Sequence, residues 1–190
     1  PAHPTASAGS PPVEAGTGRI RSRSCATFAT SGRSGPLSAR HGSVEAILER
    51  HRRIAVDSNV LIYLTEDDAE RVDVAGAIVD AIAGGRAEGV LSSAGMSEVL
   101  VGPARAGDGA GFERLAATIR DLGFNVVALD ATTAEDAAWI RGQTGMSLPD
   151  AIHVACARSS GASAFITNDR RITSRASLEV LYLDDLTAAG

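Results

Sequence analysis

Short apolar runs alternate with longer helical stretches from Ser43 onward, and this alternation constrains the fold more than any other feature of the chain. Five such runs are predicted to be buried strands, at residues 53–57, 89–93, 124–129, 164–167 and 180–183. Strands separated by helices favour an α/β fold, a three-layer α/β/α arrangement around a central, mostly parallel sheet. A ligand site in such a sheet lies beyond the carboxyl ends of the strands.

Helices are predicted between the strands, at residues 43–51, 60–64, 69–83, 96–101, 112–122, 133–143 and 148–160. Ser43 is the expected N-cap of the first, and Pro149 fits the first turn of the last. Gly102 and Pro103 are expected to end the fourth helix. Residues 104–111 are rich in Gly and Ala and predict a loop.

Residues 1–42 differ in amino-acid composition from the rest of the chain. They are rich in Ser, Ala, Gly, Pro and Arg and poor in large apolar side chains. Such a segment cannot bury enough surface to offset its chain entropy, so we predict a disordered tail at 1–42 and one folded domain at 43–190. An Arg-rich, acid-poor transit peptide is the alternative interpretation of the tail.

The charged residues exclude several classes of enzyme. All 18 basic residues other than His are Arg, so the Lys of a P-loop or of a Schiff-base enzyme is missing. Residues 1–42 carry a net charge of +4 and residues 43–190 one of −9. The acidic domain argues against a plain nucleic-acid binder and suits metal binding or a basic partner.

The two cysteines and the absence of a long apolar run indicate where the protein acts. Cys25 and Cys156 lie far apart and form neither a zinc motif nor a disulfide framework. Cys156 falls in an apolar helical stretch, which predicts a buried, reduced thiol. With no membrane span in the sequence, these features favour a cytoplasmic protein.

Four acidic residues from separate segments are predicted to meet at the carboxyl edge of the sheet. Asp57 ends the first strand and Asp169 follows the fourth by two residues, whereas Glu98 and Asp150 lie early in helices. Two carboxylates about 4 Å apart repel by roughly 4 kcal/mol at an effective dielectric of about 20, so a bound cation or a shared proton must stabilise them. Mg²⁺, with Mn²⁺ as the alternative, suits such an oxygen site and supports phosphodiester hydrolysis.

Neighbouring polar residues could assist these acids. Ser58, Asn59, Thr167 and Asn168 flank the first and last of them, and Arg170 and Arg171 could contact phosphate. Each residue also has an ordinary structural interpretation: Asp57 as an N-cap, Asp150 as a helix-dipole partner, Glu98 as a surface residue and Asp169 as a turn residue. His153, one turn after Asp150, could face the site but is more often a packed residue, and the arginines could simply be solvated.

Four segments resemble the motifs of the PIN-domain nucleases, in the same order. They are IAVDSNVLIY at 54–63, SEVL at 97–100, LPDAIHVACA at 148–157 and FITNDR at 165–170. The resemblance spans residues 53–185. The chain departs from the family at Ser58, where Thr is usual, and at Arg171-Ile172, where an acid and an aromatic residue often follow.

The resemblance implies a function for the matching positions. Asp57, Glu98, Asp150 and Asp169 would be the catalytic, Mg²⁺-binding acids, with Ser58, Asn59, Thr167, Asn168 and Arg170 as supporting or substrate-contacting residues. The nearest likeness is to VapC-type toxins, which cleave RNA, are held inactive by a small antitoxin and commonly dimerise. The implied protein is therefore a magnesium-dependent endoribonuclease with an RNA substrate and a cognate antitoxin.

Two other functions remain open from the sequence. A non-catalytic PIN-like binding module would act through a protein partner, although retention of all four acids disfavours it. A phosphatase with an aspartyl nucleophile usually needs a second Asp two residues after the first. Asn59 occupies that position here, and the Lys is absent.

Overall fold

The computed structural model describes residues 37–66, 68–173 and 178–188, with side chains described between Val44 and Leu186 of these ranges. Five strands alternate with eight helices in these ranges. The strands are β1 (Arg53–Val56), β2 (Glu88–Ser92), β3 (Asn125–Val127), β4 (Ala164–Thr167) and β5 (Glu179–Tyr182). The helices are α1 (Leu37–Arg50), α2 (Ser58–Thr65), α3 (Val72–Ala83), α4 (Ser93–Arg105), α5 (Gly109–Asp121), α6 (Ala131–Thr144), α7 (Leu148–Ser159) and α8 (Leu183–Ala188).

All five strands pair in parallel, in the order β3-β2-β1-β4-β5. Ala55 of β1 lies opposite Val90 of β2 and Phe165 of β4, which fixes the register at the centre of the sheet. Strands β2 and β3 lie on one side of β1 in the sheet, and β4 and β5 lie on its other side. The point where this order reverses, between β1 and β4, is where parallel sheets open a crevice for a ligand.

Alternate residues of the central strands face two separate hydrophobic cores. Ile54 and Val56 of β1 pack with helices α1 to α5 and with α8, whereas Ala55 packs with α6 and α7. Because side chains alternate along a strand, a short run that is buried throughout requires a covering layer on each face. The structure therefore confirms the three-layer α/β/α fold predicted from the sequence.

Several predicted boundaries were wrong. Helix α1 begins at Leu37, so Ser43 lies inside it and is not its N-cap. The expected loop at 104–111 is reduced to residues 106–108, because α4 continues through Pro103 to Arg105 and α5 begins at Gly109. Pro103 lies in the last turn of α4, where the loss of one backbone donor interrupts little further helix. Leu183, assigned to the last strand, starts α8.

Two further expectations are answered by the described residues. Cys156 is a free, fully buried thiol, as predicted. No helix in the described ranges combines the length and the hydropathy needed to cross a bilayer. The predicted tail at 1–42 lies outside the described residues, apart from positions 37–42 at the start of α1.

Candidate metal centre

Polar side chains follow the carboxyl ends of β1, β2 and β4. Asp57 comes directly after β1, Ser92 is the last residue of β2, and Thr167 is the last residue of β4. Asp57 and Thr167 therefore flank the crevice between β1 and β4. All three side chains are buried, with 6%, 4% and 0% of their surfaces exposed.

Asp57 occupies the N-cap position of α2, but its side chain makes no capping hydrogen bond. Its carboxylate instead accepts hydrogen bonds from neighbouring side chains. The Thr167 hydroxyl lies 2.6 Å and the Asn59 amide nitrogen 3.0 Å from Oδ2, and the Ser58 hydroxyl lies 3.3 Å from Oδ1. The simple N-cap interpretation of Asp57 is therefore wrong, and its carboxylate points into the crevice.

Burial raises the pKa of the Asp57 carboxyl, because removal from water penalises the charged form. The hydrogen bond from Thr167 and the nearby His153 oppose this shift without cancelling it. The carboxylate is thus placed where its charge is unfavourable in the absence of a cation.

Glu98 and His153 complete a compact group with Asp57. The Ser58 hydroxyl donates to Glu98 Oε2 at 2.6 Å and so joins the two carboxylates. Nε2 of His153 lies 3.2 Å from the same Glu98 oxygen. One ligand atom from each of Asp57, Glu98 and His153 lies within 4.8 Å of the other two. Within the described ranges, no other set of three or more acidic, His or Cys residues meets this distance.

Asp150 and Asp169, the other two predicted site acids, both lie near the guanidinium of Arg171. Arg171 Nη2 lies 2.5 Å from Asp169 Oδ2 and 4.0 Å from Asp150 Oδ2. The hydrogen bonds from Arg171 hold the pKa of Asp169 below its usual range. The backbone amide of Asp169 donates to Thr167 Oγ1 at 3.0 Å, so a single hydroxyl connects Asp169 to Asp57.

A match to the model of a known family decides the identification. The PIN domain family model matches residues 54–178, a span that includes all five of these acidic and His residues. The chain belongs to the PIN domain family. The resemblance inferred from the sequence motifs is thereby confirmed. No curated protein matches the chain by sequence.

Two solved structures share the fold of this PIN domain. A chain of a toxin–antitoxin complex from Klebsiella pneumoniae is similar at a TM-score of 0.50 and 21% identity, over 66% of this chain and 94% of that one. A chain of VapBC2 from Rickettsia felis, crystallised with a promoter DNA fragment, is similar at a TM-score of 0.54 and 12% identity, over 68% and 98%. At such identities the likeness establishes the fold alone.

The side chains of this PIN domain fit a divalent cation. Asp57 and Glu98 supply carboxylate oxygens at one point. Two other buried oxygens, Asp150 Oδ2 and Asn59 Oδ1, have no hydrogen-bond partner among the residues that the structure describes. A buried acceptor without a partner is costly, and a cation ligated by oxygen atoms would satisfy it. The acid set is therefore suited to Mg²⁺ or Mn²⁺.

The remaining predicted site residues of the PIN domain hold its last segments together. Arg170 forms two hydrogen bonds to Asp185, at 2.6 and 2.9 Å, and its guanidinium lies 4.2 Å from the centre of the Tyr182 ring. Asn168 accepts a hydrogen bond from the backbone amide of Asp184 at 3.2 Å. The structure thus places Arg170 and Asn168 beside β5 and α8, outside the group of Asp57, Glu98 and His153.

Sequence reasoning missed or undervalued three residues of the PIN domain site. Ser92 was assigned only to a strand, although a Ser at the carboxyl end of a parallel strand lies at the site edge. For His153 the sequence favours a packed role over a place in the site, and its position three residues after Asp150 is the signal for the latter. For Arg171 the sequence leaves a phosphate contact and a solvated side chain open, whereas in the structure Arg171 joins two of the four acids.

Proposed function

We propose that this PIN domain is a metal-dependent endoribonuclease, the toxin of a toxin–antitoxin pair. The observation that supports this most is the meeting of Asp57 and Glu98 at the switch point of the sheet, with Asp150 and Asp169 linked to them through Thr167 and Arg171. The proposed substrate is RNA, and the proposed cofactor is Mg²⁺, with Mn²⁺ as the alternative.

A divalent ion bound by these acids would lower the pKa of a coordinated water and offset the charge that develops on the phosphodiester. The protein's part is to hold the acids in place. Thr167, Asn59 and Ser58 fix the Asp57 carboxylate, and Ser58 also orients Glu98. Because these donors hold the carboxylates in defined orientations, they would reduce the conformational freedom that the carboxylates lose when they bind a cation.

Arg171 is the residue of this chain best placed to contact the RNA backbone. Its side chain is 75% exposed, while its guanidinium remains at the Asp169 carboxylate. A fork-shaped guanidinium can form two hydrogen bonds with a phosphate as readily as with a carboxylate. We propose Arg170, whose side chain is 56% exposed, as a second and weaker contact because it lies beside β5 and α8, away from Asp150 and Asp169.

The proposed partner is a cognate antitoxin. Both fold neighbours come from complexes of a toxin with an antitoxin, and the net charge of −5 suits a partner with basic residues. A homodimer and a cytoplasmic location also belong to this proposal. The residues that precede α1 are proposed as a separate tail outside the catalytic domain.

The test is cleavage of structured RNA by the purified full chain with Mg²⁺ or Mn²⁺. We expect cleavage that EDTA abolishes, and a loss of about 100-fold or more in Asp57→Asn and Asp150→Asn, because cation-assisted charge stabilisation supplies several kcal/mol. Asp136→Asn is the matched control, since that carboxylate pairs with Arg158 on helices α6 and α7. Cleavage that persists in EDTA or in Asp57→Asn would contradict the proposal.

The same experiment separates catalysis from binding alone. A non-catalytic module would bind a protein partner yet cleave no RNA with either cation, and its four acid variants would keep their partner affinity. The full chain with its antitoxin removed is the appropriate sample, because a bound inhibitor would mimic an inactive module.

A further inference from the structure

We propose that His153, through Nε2, is a nitrogen ligand to the cation held by Asp57 and Glu98, and that it makes the site prefer Mn²⁺ over Mg²⁺. This inference rests on the proposed function only in requiring that Asp57 and Glu98 bind a cation. It adds a ligand and a metal preference that the four acids alone do not imply.

The position of His153 supports a ligand role. Its side chain is 4% exposed, and Nε2 lies 3.2 Å from Glu98 Oε2. Nε2 also belongs to the group of three ligand atoms that lie within 4.8 Å of one another. Three ligands to one ion must be mutual neighbours, and these three are already brought together by β1, α4 and α7.

Ser92 fixes the orientation of the imidazole ring. Its Oγ lies 2.6 Å from His153 Nδ1 and also accepts a hydrogen bond of 2.8 Å from the Gly95 amide. In the cation-bound form that we infer, Ser92 Oγ accepts from both groups, so the ring proton lies on Nδ1 and the lone pair of Nε2 binds the cation. Metal-bound histidines are held in this way, with the distal ring nitrogen anchored by a polar neighbour.

A second histidine in the chain shows why the anchoring alone does not make a metal site. His51 Nδ1 lies 2.9 Å from Ser163 Oγ, and its Nε2 lies 3.0 Å from Glu179 Oε2. This trio repeats the arrangement of Ser92, His153 and Glu98. Within the described ranges, however, it lacks a second carboxylate at ligand distance. Asp57 is therefore what distinguishes His153, and His51 is a built-in control.

The ligand set determines the preference between cations. Mg²⁺ favours oxygen atoms and holds its waters tightly, whereas first-row transition metals accept imidazole nitrogen. Two carboxylates and one imidazole therefore favour Mn²⁺ relative to a site built from carboxylates alone. Removing His153 should weaken Mn²⁺ binding and leave the weaker Mg²⁺ binding nearly unchanged.

The first measurement is pulsed electron paramagnetic resonance of the full chain with Mn²⁺. We expect a ¹⁴N coupling in the wild-type protein and in His51→Gln, and its absence in His153→Gln. Bound Mn²⁺ without nitrogen coupling in the wild-type protein would overturn the ligand role of His153 and leave the metal-dependent nuclease intact. Absence of any bound Mn²⁺ or Mg²⁺ would overturn both proposals.

The second measurement is calorimetric titration with Mn²⁺ and with Mg²⁺. Loss of an outer-shell partner of a bound His costs about 10- to 100-fold in metal affinity. We therefore expect His153→Gln to lose at least about tenfold in Mn²⁺ affinity, with a change of less than about threefold for Mg²⁺. Equal losses for both cations, or equal losses in His51→Gln, would contradict the preference; circular dichroism checks that each variant folds.

Discussion

The hydroxyl of Thr167 donates a 2.6 Å hydrogen bond to Oδ2 of Asp57 and so joins the carboxyl ends of β1 and β4. The Thr167 hydroxyl oxygen also accepts a hydrogen bond from the backbone amide of Asp169 at 3.0 Å. Thr167 is fully buried, so both contacts are shielded from water. One side chain therefore holds two of the four acids at the switch point of the sheet.

Replacing this hydroxyl should cost stability. In Thr167→Val the Asp57 carboxylate and the Asp169 amide each lose a buried partner, and we expect a loss of about 1–3 kcal/mol in the free energy of unfolding. The pKa of Asp57 should rise further, because Thr167 lowers it. Urea denaturation and NMR titration measure the two effects. Thr167→Ser keeps the hydroxyl and should restore the pKa; a Val variant with wild-type stability would argue against this role.

Asp57 itself should reduce the stability of the cation-free protein as pH rises. Its pKa is raised by burial, so the folded protein binds more protons than the unfolded chain between the two pKa values. The stability this group contributes is full below the unfolded pKa and is lost as pH rises through the folded pKa. We expect the free energy of unfolding of Asp57→Asn, measured by urea denaturation in EDTA, to exceed that of the wild type by roughly 0.5–2 kcal/mol at pH 8. Near pH 4 this difference should disappear. A pH-independent difference would contradict the linkage.

Arg171 should control the titration of Asp169. Its hydrogen bonds lower the pKa of that carboxyl, so Asp169 contributes stability above the unfolded pKa and loses it as pH falls through the folded pKa. In Arg171→Ala we expect the pKa of Asp169 to move up towards its ordinary value of 3.8, as followed by carboxyl NMR. Arg170→Ala is the matched control and should instead raise the pKa of Asp185. A shift of Asp169 in both variants would rule out a specific pair.

Gly89 of β2 should tolerate no side chain. A Cβ there would overlap Ile82 and would lie 2.8 Å from Phe124 Cδ1, and both side chains belong to the core. We expect Gly89→Ala to lose about 1–3 kcal/mol of unfolding free energy in urea, because overpacking displaces neighbours. Gly142→Ala in α6, where no atom lies within 4 Å of the added Cβ, should gain about 0.5–1 kcal/mol. Equal effects at the two sites would disprove the packing argument.

Local patterns in the sequence were enough to predict the sheet. Runs such as residues 53–57 and 164–167 have apolar residues on both faces of the strand. This pattern is typical of strands that are buried on both faces of a parallel sheet. Helix ends were less certain, since α4 continues past Gly102 and Pro103. The contacts that extend a helix by one turn come from distant residues, and sequence periodicity does not contain them.

The places of the four candidate acids could also be predicted from the sequence, because those places follow from topology. A residue directly after a parallel strand reaches the same edge as its counterparts, which brings Asp57 near Thr167. The partners on helices were harder to assign. His153 and Arg171 each had an ordinary structural role available, and their rotamers decide which neighbours they contact.

The sequence alone determined the fold class and the four acidic positions, since both depend on patterns along the chain. The tertiary structure decided how those acids divide, with Asp57 and Glu98 beside His153, and Asp150 and Asp169 around Arg171. Distances of a few ångströms between side chains from separate elements set the electrostatics around these acids. Those distances depend on packing between layers, which no local pattern encodes.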